Sequence, residues 1–396
     1  MEGPPIPWGC LRVEGDQIVQ VGTLQELARQ PDESLRDFPD AVLMPGLINS
    51  HCHLELGTAR GMFPRGEPFP MWVSRLRKAV DVADTEQCRQ AVRLGVLECL
   101  KNGTTTVVDV GNTGEALMEL AFLPIRSFPY LEVIGLNPEA AQEKLRQAKN
   151  RLASLPAATD LFHPGMTCHA PYSCSVELMH SISHDQSLRT GPYTLHVAES
   201  AEEKAMFLDG RGALMDFCLR IFPALAFEQK TSPIRFLSRH GLIPKGSLFV
   251  HCNHADAEDI RILAETETSV VHCPRSKAFF NHAGFPVELF QTAGINLCLG
   301  TDSLASNESL SMFDEMAELH HRHPSLACRD ILAMTTINAA KALGRTGELG
   351  CIKPGSRADF IAIELRHHPE YDLYEEIVRE AHEVIFVSVA GEEVVS

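Results

Sequence analysis

PGLINSHCH, residues 45–53, is an apolar run that ends in two histidines separated by one residue. The run has the length and composition of a buried strand, and side chains two residues apart along a strand point to the same side. His51 and His53 are therefore expected side by side at the end of a strand, where two imidazoles can bind one metal ion. A doubly wound open sheet would instead place a glycine-rich phosphate loop after its first strand.

Outward from this segment, short strand-like runs alternate with longer helical patterns. Eight strands are predicted at Ala41–His53, Thr104–Val110, Pro129–Leu136, Gly165–His169, Tyr193–Val197, Ser247–His251, Ser269–Cys273 and Ile295–Leu299. Helices are predicted between most of them, at Glu86–Lys101, Ala140–Leu155, Glu202–Phe222, Asp256–Glu265 and Leu310–His321. This alternation indicates an α/β fold, a (β/α)8 barrel of the TIM type, with the open doubly wound sheet as the alternative.

Both ends of the chain break the alternation. Cys10–Gly22 has the pattern of two short strands around a turn, and Ala358–Ile363 and Val384–Val395 are again strand-like. We therefore predict a small flanking β-sandwich domain formed from both termini, residues 1–44 and 347–396. The catalytic barrel is predicted over residues 45–346.

Composition limits the classes of function. The 396 residues include 35 Lys and Arg against 52 Asp and Glu, a net charge of −17 that disfavours binding to nucleic acid or to anionic lipid. No run reaches the roughly 18 apolar residues of a membrane helix. The first ten residues lack a basic start followed by an apolar run, so we expect no signal peptide. The twelve cysteines contain no C-x-x-C pair and are expected to be reduced. We expect a cytoplasmic protein that acts on a small molecule, and homo-oligomerisation stays open.

Two further predicted strand ends carry residues that would complete a metal site. TLHVAE, residues 194–199, places His196 at the end of the fifth strand and Glu199 three residues later. LGTDSLASN, residues 299–307, places Asp302 after the eighth strand. A third imidazole and a carboxylate beside the first two histidines form a plausible zinc set with one position left for water, and the glutamate is expected next to that water. These strand ends form the active site of a (β/α)8 barrel.

The sixth and seventh predicted strands also end in histidines. His251 ends the sixth strand, and His254 is expected in the loop beyond it. His272 ends the seventh strand and is expected to be packed, whereas Arg275 is a candidate to face the substrate.

The order H-x-H, H-x-x-E, H and D resembles the amidohydrolase superfamily, and the resemblance covers nearly the whole chain. LHVAE (195–199) and GTDSLASN (300–307) are similar to signatures of the branch of adenosine-type, cytosine-type and triazine deaminases and chlorohydrolases. HAPYSC (169–174) resembles a run whose histidine contacts the substrate in relatives. Relatives often carry asparagine where this chain has Lys277. No lysine ends the fourth strand, so the lysine that bridges two metals in other relatives has no counterpart, which favours one metal.

The resemblance implies hydrolytic deamination of an aminated heterocycle by one divalent metal ion, zinc first and iron as the alternative. The implied metal ligands are His51, His53, His196 and Asp302. Asp302 would orient the metal-activated water and take its proton, Glu199 would protonate the ring nitrogen, and His251 would hydrogen-bond the attacking oxygen.

The resemblance also implies a purine nucleoside substrate: 5′-methylthioadenosine, S-adenosylhomocysteine or 6-aminodeoxyfutalosine. Candidate substrate contacts are His169, Glu67, Trp72 and Arg275. The segment FPRGEPFPMW, residues 63–72, is rich in proline and glycine and suits a loop over the barrel mouth. The alternative is an ordinary surface connection in which the tryptophan packs against a helix.

Other activities stay open at this point. A triazine-type chlorohydrolase, a guanine or cytosine deaminase and a cyclic amide hydrolase would use nearly the same metal set. Glu199 favours deamination over amide opening because it supplies an acid for ring protonation. A non-enzymatic assembly protein would be expected to lack ligands, and all six candidate positions hold competent residues.

Overall fold

The computed structural model describes residues 3–28, 30, 32–225, 230–366 and 372–395. The strands in these ranges are β1 (Gly9–Glu14), β2 (Gln17–Thr23), β3 (Ala41–Pro45), β4 (Leu47–Cys52), β5 (Thr104–Gly111), β6 (Arg126–Val133), β7 (Gly165–Cys168), β8 (Thr194–Val197), β9 (Leu248–His251), β10 (Ser269–His272), β11 (Leu297–Leu299), β12 (Phe360–Glu364), β13 (Val384–Val389) and β14 (Glu392–Val395).

The α-helices in the same ranges are α1 (Leu24–Leu27), α2 (Phe69–Val82), α3 (Thr85–Lys101), α4 (Gly114–Glu119), α5 (Ala141–Ala153), α6 (Val176–Ser183), α7 (Ala201–Asp209), α8 (Ala213–Ile221), α9 (Pro233–Arg239), α10 (Ala257–Glu265), α11 (Pro274–Phe279), α12 (Val287–Thr292), α13 (Met312–Arg322), α14 (Cys328–Met334), α15 (Ile337–Ala342) and α16 (Leu373–Arg379). Among the described helices, none combines the length and the apolar character that a membrane span requires.

The barrel consists of two parallel four-stranded sheets, β4-β5-β6-β7 and β8-β9-β10-β11. Backbone hydrogen bonds join the two sheets at both seams. The amides of Thr301 and Asp302 donate to the carbonyl oxygen of His51 at 3.1 Å, and the amide of His196 donates to that of His169 at 3.0 Å. The predicted (β/α)8 barrel is therefore confirmed, and the seams lie at the strand ends that carry the candidate site.

Burial on both faces explains why these sequences form barrel strands. Every residue of β5, TTTVVDVG, is buried, as expected for a parallel strand covered by helices outside and by side chains inside. The outer helix α3 begins at a capping box, in which the Asp84 side chain accepts from the Gln87 amide. Its buried stripe, which includes Val92 and Val96, packs in the main core.

The flanking sheet draws its strands from both ends of the chain, in the order β14-β13-β12-β3. β3 pairs antiparallel with β12 from Ala41 opposite Glu364 to Pro45 opposite Phe360. The β1-β2 hairpin packs on this sheet through an apolar cluster that includes Ile18 and Phe360. The predicted flanking β-structure from both termini is confirmed, whereas its residue limits stay a prediction.

Two predicted elements are wrong because glycines interrupt them. Ala41–His53 is not one strand: β3 belongs to the flanking sheet and β4 to the barrel, with Gly46 between them. A Cβ at Gly46 would lie 2.1 Å from Oγ1 of Thr105, so the chain can pass between the two sheets only at a glycine. Glu202–Phe222 is two helices, because Gly210 ends α7 in the left-handed conformation with φ of +63°.

Candidate active site

Three imidazole nitrogens converge at the C-terminal mouth of the barrel. Nε2 of His196 lies 3.1 Å from Nε2 of His51 and 3.1 Å from Nε2 of His53. Oδ1 of Asp302 lies 3.8 Å from Nε2 of each of the latter two histidines. Metal–nitrogen distances of about 2.0–2.1 Å place two ligand atoms roughly 3.0–3.5 Å apart. The three nitrogen atoms fall in this range, and Oδ1 of Asp302 lies just beyond it, close enough to approach the same divalent ion.

Backbone carbonyls orient two of these rings. Nδ1 of His53 donates to the carbonyl oxygen of Val110 at 2.6 Å, and Nδ1 of His196 donates to that of His169 at 2.9 Å. A carbonyl oxygen only accepts, so both Nδ1 atoms carry the proton and both Nε2 lone pairs face the centre. Burial, followed by the neighbouring histidines, lowers the pKa of His51 and of His196. These shifts favour the neutral forms of His51 and His196, which are the forms that bind a metal.

The backbone is strained at the strand ends that carry the side chains of the candidate site. Ala198, His251 and Asp302 follow or end barrel strands with φ of +52°, +72° and +58°, the left-handed region that non-glycine residues rarely adopt. Gly300 lets β11 approach β4 closely, since a Cβ there would lie 2.7 Å from the carbonyl oxygen of His51. These turns place residues distant in sequence at one mouth.

Two serines hold the second oxygen of the candidate carboxylate ligand. Oδ2 of Asp302 accepts from Oγ of Ser276 at 2.5 Å and from Oγ of Ser306 at 2.9 Å. Ser276 lies on α11 and Ser306 lies in the loop after β11. Both hydroxyls donate to Oδ2, so the other carboxylate oxygen, Oδ1, faces the imidazole nitrogens.

A glutamate and a fourth histidine lie beside this cluster. Oε1 of Glu199 lies 3.7 Å from Nε2 of His251. The backbone of Glu199 is fixed on both sides: its amide donates to Oε2 of Glu203 at 2.8 Å, and its carbonyl oxygen accepts from Nδ2 of Asn253 at 3.0 Å. Burial raises the pKa of Glu199, with the charge of Asp302 adding to the effect, and burial lowers the pKa of His251 to about 4.

His169, the first candidate for substrate contact, is part of the same mouth. Its ring centroid lies 5.0 Å from that of His196. Nδ1 of His169 forms a hydrogen bond with Oγ of Ser173 at 2.7 Å, and burial lowers the pKa of His169 to about 3.

The side chain of Trp72 is packed in the structure, and its contact with a substrate stays a prediction. The segment is a loop only as far as Pro68, because α2 begins at Phe69. The Trp72 side chain is 8% exposed, and its ring contacts those of Phe69 and Phe280. Its Nε1 donates to the carbonyl oxygen of Ala305 at 3.2 Å. Trp72 therefore supports the loop that carries the candidate carboxylate ligand.

The other two substrate candidates have partners within the chain. NH1 of Arg75 donates to Oε1 of Glu67 at 2.8 Å. Nε of Arg275 donates to Oδ1 of Asn307 at 2.9 Å, and its NH2 lies 3.8 Å from a carboxylate oxygen of Glu308. Their roles toward a substrate stay predictions.

His272 is buried, as predicted, with its ring stacked on Phe285 at a centroid distance of 3.8 Å.

Two acidic residues near the cluster were not predicted as part of the site. Oε1 of Glu132, at the end of β6, lies 3.6 Å from Nδ1 of His196. Asp109 on β5 accepts from the amide of Leu54 at 2.8 Å, and burial raises the pKa of Asp109 to about 7. A single carboxylate flanked by apolar residues, in VVDV (107–110) and YLEV (130–133), is the sequence signal that would have found both.

Residues 42–394 match the model of the amidohydrolase family. A 5-methylthioadenosine/S-adenosylhomocysteine deaminase of Saccharophagus degradans is 31% identical over 378 residues, which cover 90% of this chain and 79% of the relative. The enzyme of the same name from Pyrococcus furiosus is 27% identical over 374 residues, which cover 89% of this chain and 83% of the relative.

Solved structures share the fold over nearly the whole chain. Helicobacter pylori aminofutalosine deaminase in complex with methylthio-coformycin has a TM-score of 0.85 at 23% identity and covers 97% of this chain and 94% of its own. An adenosine deaminase from Xanthomonas campestris with bound zinc has a TM-score of 0.83 at 24% identity, with 97% and 88% covered. An atrazine chlorohydrolase from Arthrobacter aurescens, complexed with zinc, has a TM-score of 0.77 at 19% identity, with 97% and 90% covered.

Proposed function

Because this chain belongs to the amidohydrolase family, we propose that it catalyses the hydrolytic deamination of an adenine nucleoside derivative, with release of ammonia. The observation that carries the proposal is the convergence of three Nε2 atoms and Oδ1 of Asp302, with Glu199 and His251 beside them. The two curated relatives described above are both named as deaminases of 5-methylthioadenosine and S-adenosylhomocysteine. Their names support that substrate class for this enzyme.

The proposed cofactor is one zinc ion, with iron as the alternative. Its ligands would be His51, His53, His196 and Asp302, whose ligand atoms lie close enough to approach a single ion. When bound, a divalent ion of this kind lowers the pKa of a coordinated water from 15.7 to about 7.

The chain's own residues would divide the proton transfers. Asp302 accepts the proton of the attacking water and is held in place by its two serine hydroxyls. His251 hydrogen-bonds the water oxygen as it attacks the ring carbon that bears the amino group. Glu199 donates its proton to the adjacent ring nitrogen, which makes that carbon electrophilic. The proton taken by Asp302 then passes to the amino group, the C–N bond breaks and ammonia leaves. The carbonyl forms as the hydroxyl proton of the intermediate passes to Glu199, which restores the protonated acid.

The raised pKa of Glu199 suits a group that must arrive protonated. His169 is proposed to hydrogen-bond the ring or the sugar, because it lies next to the metal-facing His196. The twelve cysteines are free thiols, which supports the proposal of a reducing, cytoplasmic location.

The test uses the full chain loaded with zinc. Ammonia release is measured with 5′-methylthioadenosine, S-adenosylhomocysteine and 6-aminodeoxyfutalosine, and in parallel with guanine, cytosine, aminotriazines and a cyclic amide. Chloride release is measured from a chlorotriazine. We expect turnover of at least one adenine nucleoside and its loss after metal is removed with a chelator. The proposal fails if the metal-loaded protein releases no ammonia from any adenine derivative.

A further inference from the structure

A cleft of about 440 Å³ lies between α11, the segment that follows it and the C-terminal end of α13. Its polar lining consists of Lys277, His282, His321, Arg322 and His323, with Gly284 and Phe285 completing the wall. None of these lining residues is acidic, although the whole chain carries a net charge of −17. We refer to it as the cationic cleft.

Lys277 is the most unusual member of this lining because it is a buried cation. The residue is 6% exposed, and within the described part of the chain no carboxylate lies in ion-pair distance of its ammonium. Burial and the neighbouring Arg322 lower the pKa of Lys277, and only Glu318 opposes them. Its ammonium nitrogen keeps contact with the solvent of the cleft, so an anion that enters the cleft can pair with it directly.

The remaining charges around the cleft are already accounted for. Nε of Arg322 forms an ion pair with Glu318, and Nδ1 of His323 lies 3.9 Å from Oε1 of Glu288. Basic residues in the last turn of α13 also interact favourably with the helix dipole. The dipole of α13 does not explain Lys277, because Lys277 lies on α11. Among the described residues of the lining, Lys277 is therefore a cation for which neither an ion pair nor that dipole accounts.

The cationic cleft adjoins the mouth of the candidate active site. His282 lines the cleft, and its ring centroid lies 6.3 Å from that of His254, which lies in the loop after His251. Among the described residues, no group hydrogen-bonds the buried Nε2 atoms of His254 and His282. The charge of Lys277 acts on both rings. An anion in the cleft would thus lie beside a histidine whose ring neighbours the loop that follows His251.

We propose that the cationic cleft binds a carboxylate or phosphate group, with Lys277 as its counter-ion and His282 as a hydrogen-bond donor. Because His282 lines the cleft and neighbours the loop after β9, the anionic group belongs to the tail of the substrate, remote from the heterocycle. This assignment of the tail rests on the proposed deaminase function, whereas binding of an anion in the cleft does not.

The first arm of the test compares two substrates that differ only in charge. The probes are 5′-deoxy-5′-(3-carboxypropylthio)adenosine and its carboxamide, and kcat/KM is measured for each by ammonia release. A charge-assisted hydrogen bond to a buried lysine predicts that the wild-type enzyme prefers the carboxylate roughly 10- to 100-fold. In Lys277→Gln the ratio of kcat/KM for the carboxylate to kcat/KM for the carboxamide should fall toward one. In Lys277→Arg, which keeps the positive charge, most of the carboxylate preference should remain.

Lys245→Gln is the matched control. Lys245 precedes β9, is exposed and pairs with Glu267, so this variant also removes one positive charge. The ratio of the two substrates should not change in this variant. A carboxylate preference that survives unchanged in folded Lys277→Gln overturns the assignment of the tail.

The second arm needs no turnover and distinguishes a free anion from a substrate tail. The unfolding midpoint is measured in inorganic phosphate and in chloride at equal ionic strength. A phosphate-dependent rise in wild type and Lys245→Gln that is absent in Lys277→Gln supports anion binding in the cleft, even if no nucleoside is deaminated. Without such a rise and without a carboxylate preference, the proposal is overturned. Absence of all deaminase activity alongside the phosphate effect would contradict the proposed function alone.

Discussion

Removal of the two serine hydroxyls that hold Asp302 tests whether this carboxylate is positioned by its neighbours. Oδ2 of Asp302 accepts from Ser276 at 2.5 Å and from Ser306 at 2.9 Å. A hydrogen bond to a charged group contributes about 1.5–3 kcal/mol, and about 1.4 kcal/mol corresponds to a factor of ten in rate or affinity. Ser276→Ala and Ser306→Ala should therefore each weaken zinc binding or kcat/KM roughly 10- to 100-fold, the range found for partners of metal ligands.

Two measurements separate positioning from a general loss of structure. Zinc affinity is determined by competition with a chromophoric chelator, and kcat and KM are determined with 5′-methylthioadenosine on metal-saturated enzyme. Because Ser276 and Ser306 share one acceptor atom, the double variant should lose less than the product of the two single losses. KM should change less than kcat, since neither serine is proposed to contact the substrate.

Ser303→Ala is the matched control. Oγ of Ser303 lies 3.4 Å from Oγ of Ser306 and accepts from the amide of Ala305, but makes no hydrogen bond to Asp302. We expect zinc affinity and kcat of this variant to stay within about twofold to threefold of wild type. If the double serine variant folds and keeps wild-type zinc affinity and kcat, the reasoning is refuted.

Three further predictions concern the site and its surroundings. Glu199→Gln should lower kcat by about 10²–10⁴-fold at unchanged zinc content; near-wild-type turnover by the metal-loaded variant would contradict its role as proton donor. Gly300→Ala would place a Cβ 2.7 Å from the carbonyl oxygen of His51, so zinc stoichiometry and the unfolding midpoint should both fall, and full zinc occupancy would argue against this steric conflict. Burial raises the pKa of Glu315 to about 8 from its usual 4.5, so the native state binds more protons than the unfolded state in that window. The free energy of unfolding should therefore decrease from pH 5 to pH 8; Glu315→Gln should flatten this decrease in denaturant titrations, and equal slopes would exclude Glu315 as its source.

The order of motifs along the chain was sufficient to predict the barrel and the convergence of its strand ends. The i, i+2 spacing of His51 and His53 placed both rings on one side of a strand, and the family match confirms the resemblance on which the fold prediction drew. Roles for the individual residues remain proposals, although the structure brings the metal-binding and catalytic candidates together. Both predictions could be made because side chains alternate regularly within a strand and because the strand ends of a barrel meet at one mouth.

What the sequence did not predict depends on contacts between distant segments. Gly46 interrupts a continuous apolar run only because Thr105 lies against it. The partner of Arg275 is Asn307, which approaches it through the loop after β11. That Lys277 is buried without an ion pair to any described carboxylate can be seen only when the surrounding helices are in place. Such features arise from packing, which spacing along one chain does not encode.

The pairing of β3 with β12 has a consequence for biosynthesis. Pro45 lies opposite Phe360, so the first strand of the flanking sheet leaves the ribosome long before its partner exists. At roughly 5–20 residues per second, the 315 residues from position 46 to position 360 take roughly 15 to 60 s to translate. During that interval β3 exposes an unpaired edge to the cell's chaperones, and a transcript that ends early would release a chain whose amino-terminal strand can never be covered.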